Sequence, residues 1–137
     1  LEATEKSLQA GIEKMVAGNR IGDVSAAIQV CAESYGFQVV REYTGHGVGH
    51  SMHEGPQAPN YGIPGRGLLL RVGMTIAPEP MLLVGTPYTR VLPDQWTVSS
   101  DDGSLTAHFE HTVAVTENGP MILTTQGDGT VLDGKWK

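Results

Sequence analysis

The five histidines of this sequence fall into two short windows. The first is GHGVGHSMHEGP at residues 45–56, and the second is HFEH at residues 108–111, which also holds the carboxylate Glu110. Imidazole is the commonest biological metal ligand, and carboxylate is its natural companion around divalent ions, so a mixed site favours Mn, Fe, Co or Zn over Ca. Each residue taken alone is more often a polar surface group, and only the clustering points to a metal centre.

The glycines of the first window decide how its histidines can meet. A helix is improbable over so many glycines, and Glu54 follows His53 instead of lying inside an HExxH motif, which excludes a helical zinc-protease pattern. On a strand, His46 and His53 point to opposite sides. They converge on one site only if the backbone bends between them, as Gly47 and Gly49 permit.

A third stretch, GMTIAPEPM at residues 73–81, places Glu79 between two prolines. Proline fixes φ and has no N–H, so the carboxylate of Glu79 is held on a stiff backbone and becomes a further candidate ligand. The alternative is an edge strand or a turn from which Glu79 merely faces water.

Two helices are predicted before the first histidine window. Apolar residues at helical spacing predict an amphipathic helix over residues 1–17, which ends at Gly18-Asn19. A second helix is predicted to begin with Asp23 as its N-cap and to stop at Gly36. These two helices occupy the first quarter of the chain.

After the helices, short apolar runs between glycines and prolines predict strands (37–39, 68–72 and 82–84). Strict alternation predicts one long strand from Leu105 to Thr116. Asn118-Gly119 then predicts a hairpin turn into a strand over residues 121–124. Because the helices come first and the strands second, the pattern indicates an α+β fold.

Size and charge narrow the class of protein. The 137 residues fit one domain, predicted over residues 1–126, with a polar tail at 127–137 that we expect to fray. The formal charge of −6 would repel a phosphate backbone, which argues against DNA as a partner. Cys31 is the one cysteine, and no apolar run approaches the roughly 20 residues that cross a bilayer, so a reducing cytoplasm is expected and a membrane is not.

Together the three motifs resemble a known family. GHGVGHSMHEGP, GMTIAPEP and HFEHTVAVTENG occur in this order, with separations of 7 from His46 to His53, 26 from there to Glu79 and 31 from there to Glu110. In this they are similar to the C-terminal half of the type I methionine aminopeptidases, metallopeptidases of family M24. The resemblance covers nearly the whole chain except the last dozen residues. It implies a pita-bread fold, in which two pseudo-symmetric α+β halves surround a dinuclear metal site.

The resemblance also implies a role for each matching residue. His46 would ligate one ion, Glu79 would be a ligand that also takes up a proton, and Glu110 would bridge both ions. His53 would not be a ligand and would donate a hydrogen bond to the substrate and to the developing oxyanion. The walls of the pocket that receives the methionine side chain would be two apolar residues (Met52 and Trp96), since polarizable walls suit a thioether.

The implied activity is the release of initiator methionine from new polypeptides in the cytoplasm. Two divalent ions (Co, Mn, Fe or Zn) would supply a bridging hydroxide that attacks the first peptide bond, and the ribosome would be a further partner. The family also uses two aspartate ligands that have no counterpart in this sequence. This chain alone is therefore expected to bind metal weakly, and the upstream half of the same enzyme is an expected partner.

Two other functions compete with this hypothesis. A relative specific for Xaa-Pro substrates, such as aminopeptidase P or prolidase, would share the fold, although the 26-residue gap and Trp96 argue against it. A pita-bread homologue that binds peptides or ribosomes without hydrolysing them is the second alternative, and it gains weight from the missing aspartates.

Overall fold

Two packed α-helices begin the chain in the computed structural model, which describes residues 1–125. Helix α1 spans Glu2–Ile12 and helix α2 spans Ile21–Ser34. The prediction that α1 continues to residue 17 is wrong, because the chain tightens into turns after Ile12 and buries Met15 completely. The predicted fraying of residues 127–137 lies outside the described residues and stays a prediction.

Helix α2 begins earlier than its sequence suggested. Its N-cap is Arg20, not Asp23, because Asp23 occupies the third helical position and its carboxylate accepts the Arg20 backbone N–H at 2.7 Å. The same carboxylate accepts the backbone N–H of Gly65 at 2.8 Å. A side chain that satisfies a free N–H from inside the first turn does the work of a cap without being the cap residue.

The strand predicted over residues 68–72 does not form. The backbone carbonyls of this region accept hydrogen bonds from the start of α2 instead: Ile21 donates to Leu68 at 3.0 Å, and Gly22 donates to Arg66 at 2.9 Å. A single isolated bridge between Arg20 and Leu69 is all the strand pairing described there. The orphan N–H groups of the helix therefore use the hydrogen-bonding groups that a strand would need.

Within residues 1–125, ten short strands, all paired antiparallel, follow the helices. They are β1 (Gln38–Val39), β2 (Thr44–Gly47), β3 (Glu54–Pro59), β4 (Thr75–Ala77), β5 (Met81–Leu83), β6 (Thr89–Val91), β7 (Val98–Ser100), β8 (Thr106–His108), β9 (Val113–Thr116) and β10 (Gly119–Ile122). The larger sheet has the order β10-β9-β4-β2-β3, the smaller sheet has the order β1-β5-β8, and β6 pairs with β7. The α+β prediction, with two helices and then antiparallel strands, is confirmed.

The long strand predicted from Leu105 to Thr116 is two strands in different sheets. β8 belongs to the smaller sheet and β9 to the larger one, and residues 109–112 connect the two strands. Alternation of apolar and polar residues continues through this break, so periodicity could not reveal it. The connection from β4 to β5 crosses between the same two sheets.

The predicted hairpin forms, but its turn lies one residue before the predicted Asn118-Gly119, because Gly119 already pairs with Thr116. β9 and β10 are joined across Glu117-Asn118, and Gly119 adopts φ +106° just after the turn. β10 begins two residues earlier than predicted and includes Pro120. Proline is tolerated there because β10 is the edge strand of its sheet.

One cluster of buried apolar side chains contains residues from both helices and both of these sheets. Its best-buried members include Met15, Ile28, Val39, Leu70, Ile76 and Val113. Burial of side chains of this size contributes about 1.5–3 kcal/mol each, which makes this cluster the main support for the strands that hold the histidine windows. No helix within residues 1–125 has both the length and the apolar character needed to cross a membrane.

Candidate metal centre

Glu79 lies where the chain passes from the larger sheet to the smaller one. It follows β4, precedes β5 and is flanked by prolines. Its side chain is only 15% exposed, so it does not face open water. Its two oxygens approach different imidazoles: Oε1 is 3.7 Å from Nε2 of His46, and Oε2 is 3.2 Å from Nε2 of His108. The carboxylate thus connects the two histidine windows.

His46 is positioned by strands on both sides. It lies in β2, opposite Gln57 of β3 and Ala77 of β4, and its side chain is 13% exposed. Its Nδ1 is 2.9 Å from the carbonyl oxygen of Gly47. A carbonyl can only accept, so this contact requires the hydrogen on Nδ1, and in the neutral ring it leaves the lone pair of Nε2 directed toward Glu79.

Glu110 completes a group of three on the other side of Glu79. One ligand atom from each of Glu79, His108 and Glu110 lies within 4.8 Å of the others. The β5–β8 register explains this proximity, because Met81 pairs with His108 and positions two residues apart share a face. Glu79 and Glu110 each lie two residues from that pair and therefore meet at the end of the small sheet.

The group is electrostatically coupled. The hydrogen bond to Glu79 raises the pKa of His108 above its ordinary value, partial burial opposes the rise, and the charges of Glu79 and Glu110 add to it. Burial lowers the pKa of His111 instead, with the Glu110 charge opposing it. The neighbouring imidazoles of one short segment thus favour different protonation states.

His53 lies beside this group, because its ring contacts the ring of His46. The two ring centroids are 4.1 Å apart. The bend that the sequence analysis required is present, since the pairing of β2 with β3 shifts register between His46 and Gly47. His53 itself is exposed, and so is His50 in the same loop.

The two residues predicted to line a methionine pocket are both exposed within the described residues 1–125. Met52 is 73% exposed, and Trp96 is 88% exposed in the turn between β6 and β7. The structure gathers His46, His53, Glu79 and Glu110 but leaves these apolar side chains in solvent. Their predicted role stays a prediction.

His108 belongs to the cluster, although no role was predicted for it from the sequence. The signal was available, because His108 and Glu110 are two positions apart and share a face of any strand that contains both. What the sequence could not provide was the register that places this face beside Glu79.

A divalent cation fits the donors present. The hydrogen bond on Nδ1 leaves Nε2 of His46 free to coordinate, as in metal-bound histidines, and both carboxylates offer oxygen. Nitrogen and oxygen donors together suit Mn, Fe, Co or Zn. Because neighbouring carboxylates repel when both are ionised, a cation between them would also lower the energy of the group.

Comparison with known proteins shows the family of this chain. The profile of metallopeptidase family M24 matches residues 1–117. The chain belongs to metallopeptidase family M24. Members of this family are metallopeptidases, so use of a divalent metal is part of the M24 assignment, and the pita-bread fold is that of its solved relatives.

Individual M24 relatives are similar over most of this chain. Methionine aminopeptidase 1 of Mycobacterium tuberculosis is 55% identical over 129 residues, covering 90% of this chain and 48% of that protein. The methionine aminopeptidase of Clostridium acetobutylicum is 52% identical over 124 residues, covering 90% and 50%. The crystal structure of the Thermotoga maritima methionine aminopeptidase superimposes with a TM-score of 0.89 at 51% identity, covering 91% and 50%. The chain spans about half the length of these relatives.

Proposed function

We propose that the protein containing this M24 chain is a metal-dependent aminopeptidase that removes N-terminal methionine from new polypeptides. Identities of 52% and 55% to methionine aminopeptidases support this substrate. The observation that carries the proposal is the position of Glu79, which contacts an imidazole of each histidine window and has a ligand atom within 4.8 Å of one from Glu110. We extend the proposal to the cytoplasm as the site of action and to the ribosome as a partner.

In this proposal the cations are two ions of Co, Mn, Fe or Zn, held by His46, Glu79 and Glu110. When bound, they supply an activated water near neutral pH and polarise the scissile carbonyl. Glu79 is the proton acceptor among the ligands, the role that the resemblance to type I methionine aminopeptidases implies, and its carboxylate is largely buried beside the rings of His46 and His108. Further ligands come from the part of the protein that pairs with this chain.

His53 would act on the substrate without binding metal. Its ring contacts His46 yet is exposed, so it can reach a peptide that lies over the cluster. A neutral imidazole donates from one nitrogen only, and donation to the developing oxyanion would stabilise the transition state. Met52 and Trp96 would close over the methionine side chain from their exposed positions.

The test is an assay of the native protein that contains this sequence, loaded with Mn or Co, on a peptide beginning Met-Ala. We expect methionine release that Glu79→Ala abolishes, since this change removes both a ligand and the proton acceptor. The matched control is Glu117→Ala, which removes an exposed carboxylate in the β9–β10 turn and should leave turnover unchanged. Full metal occupancy without methionine release would refute the proposed substrate.

Metal titration distinguishes the proposed enzyme from a homologue that binds peptides or ribosomes without hydrolysing them. If it were correct, fewer than one tightly held ion per protein would be found, and His46→Ala or Glu110→Ala would not change that number. Preference for a Xaa-Pro peptide over Met-Ala in the same assay would favour the prolidase-like alternative.

A further inference from the structure

We propose that His108 is a metal ligand, and that its Nε2 binds the same cation as Glu79 and Glu110. The site would then have a second imidazole in addition to that of His46. This inference rests on the proposed function only in requiring that a divalent ion binds at the cluster.

The distances among the three side chains suit one shared ion. Their ligand atoms lie within 4.8 Å of one another, and bonds of about 2.1 Å place ligand atoms on opposite sides of an ion roughly 4 Å apart. The side-chain movement required is small. His108 is 47% exposed and Glu110 is also exposed, so neither has to disturb packed neighbours to make it.

The backbone holds these donors together. His108 pairs with Met81 across β5 and β8, and the Phe109 N–H continues the ladder by donating to the Pro80 carbonyl at 3.3 Å. Glu79 and Glu110 are the next positions beyond this hydrogen bond. Their approach to His108 is thus fixed by strand register and not by flexible surface side chains.

The competing role for His108 is to orient Glu79 through the 3.2 Å hydrogen bond alone. That role needs only Glu79, whereas His108 also lies within ligand distance of Glu110. A donor set of two imidazoles and two carboxylates also has a chemical consequence. Imidazole favours Co, Ni and Zn over Mn, so the site should prefer the former ions more strongly than it would with one imidazole.

Two substitutions separate the two roles of His108. His108→Gln keeps a side-chain N–H that can donate to Glu79 but removes the imidazole, while His108→Leu removes both. His50→Gln is the matched control, because it removes an exposed imidazole of the β2–β3 loop.

The native protein is loaded with one equivalent of Cu²⁺, and pulsed EPR counts the coordinated imidazoles. We expect one imidazole more in the wild type and in His50→Gln than in His108→Gln. Calorimetric titration with Co²⁺ should show Kd weakened about tenfold or more in both His108 variants, at least the loss seen when an outer partner of a ligand is removed.

Each other outcome identifies which idea fails. An unchanged imidazole count in His108→Gln, or Co²⁺ affinity kept in His108→Gln and lost in His108→Leu, would overturn the ligand role. If the wild type takes up neither Cu²⁺ nor Co²⁺, the proposed function fails together with this inference. Metal uptake without methionine release would leave the His108 result standing and refute only the proposed substrate.

Discussion

At the scale of single residues, the centre is organised around one carboxylate with two imidazole neighbours. Glu79 is largely buried, and each of its oxygens faces a different histidine. A buried carboxylate is costly unless it is paired, so these contacts give a physical reason for a glutamate at this position. His53 differs from the two neighbours, because it contacts the ring of His46 and remains exposed.

For His53 we predict that substitution by alanine separates catalysis from metal binding. His53→Ala should lower kcat about 10²-fold, as for the loss of one oxyanion donor, and leave the metal content unchanged. The measurements are steady-state kinetics on the Met-Ala peptide for kcat and elemental analysis of the same samples for metal content. His50→Ala, in the same exposed loop, should behave as the wild type. Loss of metal in parallel with kcat would instead make His53 a ligand.

At the scale of elements, the position of His46 depends on how closely strands β3 and β4 approach β2. Gly45 is buried between them, and a Cβ at this position would meet the carbonyl oxygen of Ala77 on β4 and, at 3.1 Å, that of Ala58 on β3. Only glycine therefore allows the spacing that brings His46 beside the residues after β4.

Gly45→Ala should destabilise the protein by about 1–3 kcal/mol, the usual cost of forcing added atoms into a packed site. Urea unfolding would measure this change. Gly55→Ala is the comparison, since a Cβ there has nothing within 4 Å among the described residues. Equal stability of the two variants would mean that β2 and its neighbours can separate without cost.

Asp102 connects two loops near the smaller sheet by hydrogen bonds, and it gives a prediction about the stability of the fold at low pH. Its carboxylate accepts the backbone N–H groups of Thr86 and Ser104, both at 2.9 Å. Hydrogen bonds lower the pKa of Asp102 from 3.8 to about 2, and the largest contribution comes from the bond with the Ser104 side chain. Because the folded pKa is the lower one, the stabilisation is complete above pH 3.8 and is lost as the pH falls toward 2.

Asp102→Asn should accordingly lower Tm at pH 7, and the difference from the wild type should shrink as the pH falls from about 4 to 2. Thermal unfolding followed by circular dichroism across this pH range is the measurement. Asp101→Asn serves as the control, because Asp101 is exposed and the hydrogen bond found at this position in the described residues runs from its backbone N–H to the Tyr88 carbonyl, which the substitution keeps. A Tm difference that stayed constant down to pH 2 would contradict the carboxylate's role.

At the scale of the whole molecule, the candidate site lies where the chain crosses between the larger and the smaller sheet. Glu79 belongs to the connection from β4 to β5 and Glu110 to the connection from β8 to β9, and both connections pass between the larger and the smaller sheet. A cation bound there would link the two sheets at the point where backbone hydrogen bonding is interrupted. Metal binding should therefore stabilise the entire fold and not a local loop.

Removal of metal by a chelator should lower the Tm of the native protein in one cooperative step. With free metal at 100 times Kd, the expected stabilisation is about 2.7 kcal/mol. Differential scanning calorimetry with and without EDTA tests this expectation, and the Glu79→Ala variant should not respond to EDTA. A wild-type Tm that did not depend on EDTA would mean that the ion does not link the sheets.

The sequence by itself determined the family, the α+β class, the hairpin near residues 117–119 and the residues proposed for the site other than His108. These depend on local chemistry: motif spacing, residue type and turn preference are all written along the chain. Even the need for a bend between His46 and His53 followed from strand geometry and the glycines there.

Only the tertiary structure decided where the strands end and which potential metal ligands lie close together. The division of residues 105–116 between two sheets leaves the alternation of residue types intact, and the hydrogen bonds from α2 replaced the strand predicted at 68–72. The place of His108 beside Glu79 depends on the β5–β8 register, which pairs His108 with Met81, 27 positions earlier. Such pairing reflects the packing of the whole sheet, which no local pattern of residues encodes.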